Sequence, residues 1–187
     1  MGLSQSFSQG PEGRGLAAPE EAVKALQTAL SAKDRSALVS IFGPGVRGLI
    51  NPDLVEATNE FVQVSTAIQE STSLVAAGQN RKILQYGRDE SLFPVPLIEN
   101  AGRWYFDTAA GVEEVINRRV GRNELAALET IRTYVQAQRE YASADRDGDE
   151  VLEYAQRFGS TQGRKDGLYW SPEIDGSISP LGPLAAE

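Results

Sequence analysis

Cysteine and histidine are both absent from the 187-residue chain. Without thiols there are no disulfides, thiolate metal sites or cysteine nucleophiles. Without imidazole the commonest general base and metal ligand are missing, and so is every Ser-His or Cys-His mechanism. Basic charge is scarce as well: 18 Lys and Arg stand against 26 Asp and Glu, a net of −8 at pH 7. Such a surface repels phosphate backbones, so nucleic acid is not an expected partner. Anionic membrane surfaces are disfavoured for the same reason. No apolar run approaches the roughly 20 residues of a membrane-spanning helix. The Gly/Ser/Gln-rich Met1–Gly15 stretch has no apolar segment typical of a signal peptide. Met1-Gly2 followed by Ser6 matches the myristoylation pattern literally, but a flexible leader is the simpler expectation.

What is present is ordinary for a globular protein: 41% hydrophobic and 24% charged residues. The length suits one domain, or one domain plus a tail, and a core can form without staples. Pro19 opens a helix with Glu20 and Glu21 at its positive end. Asp34 can cap a short second helix through Leu38 and Ile41, and Gly43-Pro44-Gly45 stops it. Asn51-Pro52-Asp53 is a further start signal, and Leu54, Ala57, Phe61, Val64 and Ile68 follow at steps of three and four, marking one buried face.

The period then changes. Residues 74–76, 82–86, 92–98 and 103–107 read as four strands separated by turns at Gly78-Gln79-Asn80, Gly87-Arg88-Asp89 and Asn100-Ala101-Gly102. In the third, Phe93, Val95 and Leu97 point one way and Pro94 and Pro96 the other, so it must be an edge strand or bulged. Helical spacing returns at Val112, Val115 and Ile116. Gly121 is expected to break that helix and Asn123 to cap the next, with Leu125, Leu128, Ile131 and Val135 as its buried stripe. A last helix is expected over about 150–158, then turns, with room for one hairpin near Asp175-Gly176.

Helices, an antiparallel meander, then helices give an α+β class. N-terminal helices packed on a small curved sheet follow the general plan of cystatin-like and NTF2-like folds, an analogy of architecture alone. The expected organisation is a tail over 1–18, a single α+β domain over 19–160, and a turn-rich segment over 161–187 docked on it.

The runs Phe93-Pro94-Val95-Pro96-Leu97, Gly102-Arg103-Trp104-Tyr105-Phe106-Asp107-Thr108 and Gly111 form a recognisable pattern. So do the residues from Glu113 to Leu125 with their Asn117-Arg118-Arg119-Val120-Gly121-Arg122-Asn123-Glu124-Leu125 block, 137–142, 153–156 and Asp166-Gly167-Leu168-Tyr169-Trp170. Together, over about 19–184, they resemble the DUF 2950 family of bacterial proteins. The resemblance implies an exported, periplasmic or cell-envelope protein made with a signal peptide, and members that continue past Ser179–Pro183 into a further Gly- and Tyr-rich segment. It implies no established activity, cofactor or catalytic residue.

Three groups of residues are candidates for chemistry. Asp145, Asp147 and Asp149, with Glu153 after them, place hard oxygens at alternate positions that can curl around one Ca²⁺. Glu150 stands where an EF-hand loop wants glycine and Gln156 where it wants the bidentate acid, and an acidic turn capping a helix from Glu150 explains the same residues. Arg118, Arg119 and Arg122, near Glu113, Glu114 and Glu124, can hold a carboxylate or phosphate, or can form a structural ion-pair network with Asp107 among its members. Tyr169 and Trp170 are expected to dock and pin the tail, or to sit in a partner interface. A glycosidase needs two carboxylates across a cleft, and 26 acids make any one pair uninformative.

The expected function is therefore a non-catalytic envelope binding or assembly protein, such as an accessory subunit, with a protein partner or a second copy as its target. The alternatives are a carboxylate-based hydrolase acting on cell-wall or sugar material, and a Ca²⁺-dependent interaction module. No cofactor other than Ca²⁺ is suggested.

Overall fold

A computed structural model describes residues 12–146, 148, 150–173 and 176–182. Its elements run α1 (Pro19–Ser31), α2 (Arg35–Phe42), a short 3-10 helix (Pro44–Leu49), α3 (Leu54–Glu70), β1 (Thr72–Ala76), β2 (Arg81–Tyr86), β3 (Ser91–Leu92), β4 (Leu97–Asn100), β5 (Arg103–Phe106) and α4 (Thr108–Tyr141). This is the expected α+β class: helices before and after a small antiparallel sheet. The chain divides into two compact units, Met1–Arg119 and Val120–Glu187, with the boundary inside α4 rather than near residue 160.

In the first unit the start signals act locally. The Asp34 carboxylate accepts the Ala37 N–H and so caps α2. Asp53, not Asn51, caps α3 by accepting from Val55 and Glu56, and Asn51 accepts from Asp53 to shape the approach. The helix thus begins two residues later than the proline suggests. Its first turn is uncovered while the rest of the stripe packs inward: Leu54 is 80% exposed, Phe61 and Val64 pack on the core, and Ile68 is fully buried.

The sheet has the order β1-β2-β4-β5, with β3 also on β2. Leu92 stands opposite Gln85 and Leu97 opposite Lys82. Four residues, 93–96, therefore face two, 83–84, and the two prolines occupy a wide bulge. The expected single strand over 92–98 is broken there because neither proline can donate to the ladder. Val95 and Leu97 reach the core as expected, but Pro96 is buried with them, and its carbonyl accepts the Asp107 N–H. Residues 12–18, expected as tail, are pinned. Leu16 is buried and exchanges two backbone hydrogen bonds with Trp104, covering the outer edge of β5. The core beneath joins Leu26, Ile41, Phe42, Ile68, Leu84 and Phe106, with the Phe42 and Phe106 rings 5.1 Å apart.

Two helical expectations fail. Gly121 does not break α4, which runs for 34 residues. A mid-helix glycine costs only about 1 kcal/mol, and no proline or left-handed residue accompanies it. No helix forms over 150–158. Glu150 adopts φ = 67°, which a right-handed helix cannot start from, and the segment is held instead by bonds to its neighbours.

The second unit has its own core: Ala137 and Tyr141 of α4 with Ala155, Leu168 and Trp170. Gly159 and Tyr169 form a parallel bridge. The hairpin expected near Asp175 lies partly outside the described residues. Gly176 is described, and its N–H bonds the Pro172 carbonyl in a turn.

Candidate functional site

The arginine group is divided by the fold. Arg118 is committed: its Nε bonds Glu114 Oε1 at 2.7 Å and its Nη1 bonds the Leu92 carbonyl at 2.8 Å. It straps β3 to α4. Its positive charge also opposes the rise that burial imposes on the Tyr86 phenol, which ionises above its ordinary range. Arg119 belongs to the same unit and is half-buried, with its Nε lacking a hydrogen-bond partner among the described residues. Arg122 lies in the second unit and is exposed. Asp107, read as a potential arginine partner, instead accepts the Ala110 N–H at 3.1 Å and caps α4.

Of the four acids proposed for Ca²⁺, Asp147 and Asp149 lie outside the described residues. The Asp145 carboxylate is engaged by its own loop, accepting the Gly148 N–H at 2.7 Å and the Glu150 N–H at 2.9 Å. Glu153 is exposed. The acidic turn is therefore built around Asp145, although no helix follows it. Asp166 behaves similarly. It accepts the Thr161 N–H at 2.7 Å and the Thr161 hydroxyl at 2.8 Å. These bonds, with a smaller contribution from Arg157, hold its carboxyl below the usual carboxylate range. Asp34, Asp53, Asp107, Asp145 and Asp166 thus all act as acceptors for backbone N–H groups.

Trp170 packs with Ala137 and Tyr141 of α4. It is buried, donates its indole N–H to Ser177 Oγ at 3.1 Å, and has two cations over its ring, Arg146 at 5.7 Å and Lys165 at 5.6 Å from the ring centre. Tyr169 contributes its backbone to the bridge, and its ring stays partly exposed. Sequence reasoning missed the residues that fix this dock, Gln138 and Tyr141. The Tyr141 hydroxyl donates to the Lys165 carbonyl at 2.9 Å.

The largest departure is on α4. The stripe expected to be buried is open: Leu125 is 69%, Leu128 49%, Ile131 59% and Val135 41% exposed. Every residue from Arg122 to Arg132 is exposed. A shallow depression of about 430 Å³ runs along the same helix, lined by Ile131, Arg132, Val135, Gln136 and Arg139. Periodicity marked this face as apolar, and nothing among the described residues covers it.

A sequence model of the family described as "Protein of unknown function (DUF2950)" matches residues 14–187. The chain belongs to that family. No curated protein and no solved structure matches it. In this DUF2950 chain the Phe93–Leu97 run forms the bulge that delivers Val95 to the core, and the Asn117–Leu125 block lies entirely on α4. Its Arg118 is the strap, and its C-terminal end leads into the exposed stripe. Among the described residues no group of three or more acidic side chains is positioned to hold a metal ion, and no helix is long and apolar enough to cross a membrane.

Proposed function

We propose that this DUF2950 chain is a non-catalytic binding and assembly protein of the bacterial cell envelope. The observation that carries the reading is the uncovered apolar band of α4 from Leu125 to Val135. Exposed apolar patches rimmed by polar residues mark interaction surfaces, and here Arg122, Glu124, Glu129 and Arg132 supply the rim. The carboxylates described above serve as caps and turn-formers, a holding role that suits assembly. The envelope location rests on the family resemblance.

The test is affinity capture of the full chain from the source envelope, run beside an Ile131→Glu variant. The expected result is a stoichiometric partner, whether another protein or a second copy, retained by the native chain and lost from the variant. Repeated recovery of the lone chain would overturn the reading. So would a substrate turnover that disappears when one acidic side chain is neutralised while circular dichroism stays native. Fractionation of the source cells checks the location, and recovery in the cytosolic fraction would remove the envelope assignment.

A further inference from the structure

We propose that the exposed α4 face between Gly121 and Val135 pairs with the same face of a second copy, the two helices running antiparallel about a two-fold axis at Leu128. This rests on the assembly reading and names its partner. At about 100° per residue, Gly121, Glu124, Leu125, Leu128, Ile131, Arg132 and Val135 span about 120° of the helix circumference. A two-fold axis at position 128 brings each residue n opposite residue 256 − n. Leu128 then meets itself, Leu125 meets Ile131, Glu124 meets Arg132, and Gly121 meets Val135.

Every one of these pairs is complementary. The apolar residues face apolar residues, the acid faces the base twice by symmetry, and the residue without a side chain faces a branched one. A side chain at Gly121 would meet nothing among the described residues within 4 Å, so the space above it is open to a partner. Glu124 and Arg132 make no ion pair among the described residues. A parallel pairing in register would instead set Glu124 against Glu124 and Arg132 against Arg132, which like-charge repulsion disfavours. The same-patch contact is the isologous geometry of two-fold dimers.

The strip is about 21 Å long at 1.5 Å per residue. A contact of that size lies at the low end of specific interfaces, so the dimer is reversible and in the micromolar range. Sedimentation equilibrium of the full chain over roughly 1–300 µM should show a monomer–dimer equilibrium. Glu124→Arg and Arg132→Glu should each weaken it by about tenfold or more. Mixing the two variants should restore the native affinity. The arginine introduced at position 124 of one chain then meets the glutamate introduced at position 132 of the other, while the unchanged Arg132 of the first meets the unchanged Glu124 of the second. Both positions are exposed, so each variant should keep the native circular dichroism spectrum. A chain that stays monomeric across the range would overturn the proposal, as would a dimer indifferent to both charge reversals or a mixture no tighter than its components. If the chain is monomeric and Ile131→Glu still loses a different stoichiometric partner in the envelope capture, the assembly reading stands and the self-pairing falls.

Discussion

The side-chain amide of Gln138 forms a two-way clamp on the backbone of Ala155. It donates to the Ala155 carbonyl at 3.0 Å and accepts the Ala155 N–H at 2.9 Å. The same amide nitrogen donates to the Tyr134 hydroxyl at 2.8 Å. One polar side chain on α4 thus replaces the ladder that an irregular segment cannot make for itself, and it sits beside the core formed by Ala137, Tyr141, Leu168 and Trp170.

Removing the clamp strands a part-buried donor and acceptor, and each unmade bond of that kind costs about 1–3 kcal/mol. Gln138→Ala should lower the unfolding free energy by about 2 kcal/mol in denaturant titration. Gln138→Glu keeps the acceptor but sets a carboxylate oxygen against the Ala155 carbonyl, so it should lose at least as much as Gln138→Ala. An unchanged unfolding midpoint in Gln138→Ala would show that the clamp is not a stabilising feature.

Buried and exposed apolar residues of similar periodicity should respond very differently. Ile68 is fully buried, and truncating such a side chain to alanine costs about 2–5 kcal/mol. Leu125 is 69% exposed, and surface changes lie within about 0.5 kcal/mol. Chemical denaturation of Ile68→Ala and Leu125→Ala at low protein concentration measures both. A large loss in Leu125→Ala would mean that the α4 stripe is covered in the isolated chain.

That contrast shows what the sequence could and could not disclose. Alternation at 103–107 locates the last strand, because a half-buried strand leaves its period in the chain, and the Gly-containing turns bound the strand at 82–86. The prolines at 94 and 96 declare the bulge, because each removes a ladder donor. The stripe at Leu125, Leu128, Ile131 and Val135 is equally visible, but periodicity identifies an apolar face and says nothing of what covers it. Gly121 misleads because its penalty is smaller than the gain from continuing a helix of good formers on either side. The Gln138 clamp leaves no trace, since a polar residue on a helix reads as solvated whether or not it reaches a backbone. The dock of Trp170 is legible because a large ring in a turn-rich stretch has few other ways to leave water.

Acid should weaken the Thr161–Asp166 turn in a defined direction. The Thr161 N–H and hydroxyl bonds favour the carboxylate, so Asp166 in the fold protonates below its ordinary value. A carboxyl of this kind contributes in full above the unfolded value of about 3.9, and the contribution is lost as the pH falls through the lower folded value. The Tm gap between the native chain and Asp166→Asn should therefore be widest near neutral pH and close below about pH 4. A gap that persists unchanged into strong acid would contradict this assignment.

Two glycines of α4 should give opposite signs under the same substitution. A Cβ on Gly111 would lie 2.6 Å from Val95 Cγ2, and Val95 is itself buried, so neither side can give way. Alanine there gains about 1 kcal/mol of helix propensity and loses about 1–3 kcal/mol to overpacking, so Gly111→Ala should destabilise. At Gly121 a Cβ meets nothing within 4 Å. There the propensity gain stands unopposed, and Gly121→Ala should stabilise the monomer by about 0.5–1 kcal/mol. Thermal unfolding at concentrations too low for self-association reads both. Two substitutions of the same sign would mean either that Val95 yields to the added methyl or that Gly121 is not helical in solution, and native-state hydrogen exchange at the amides of residues 121–125 separates those cases.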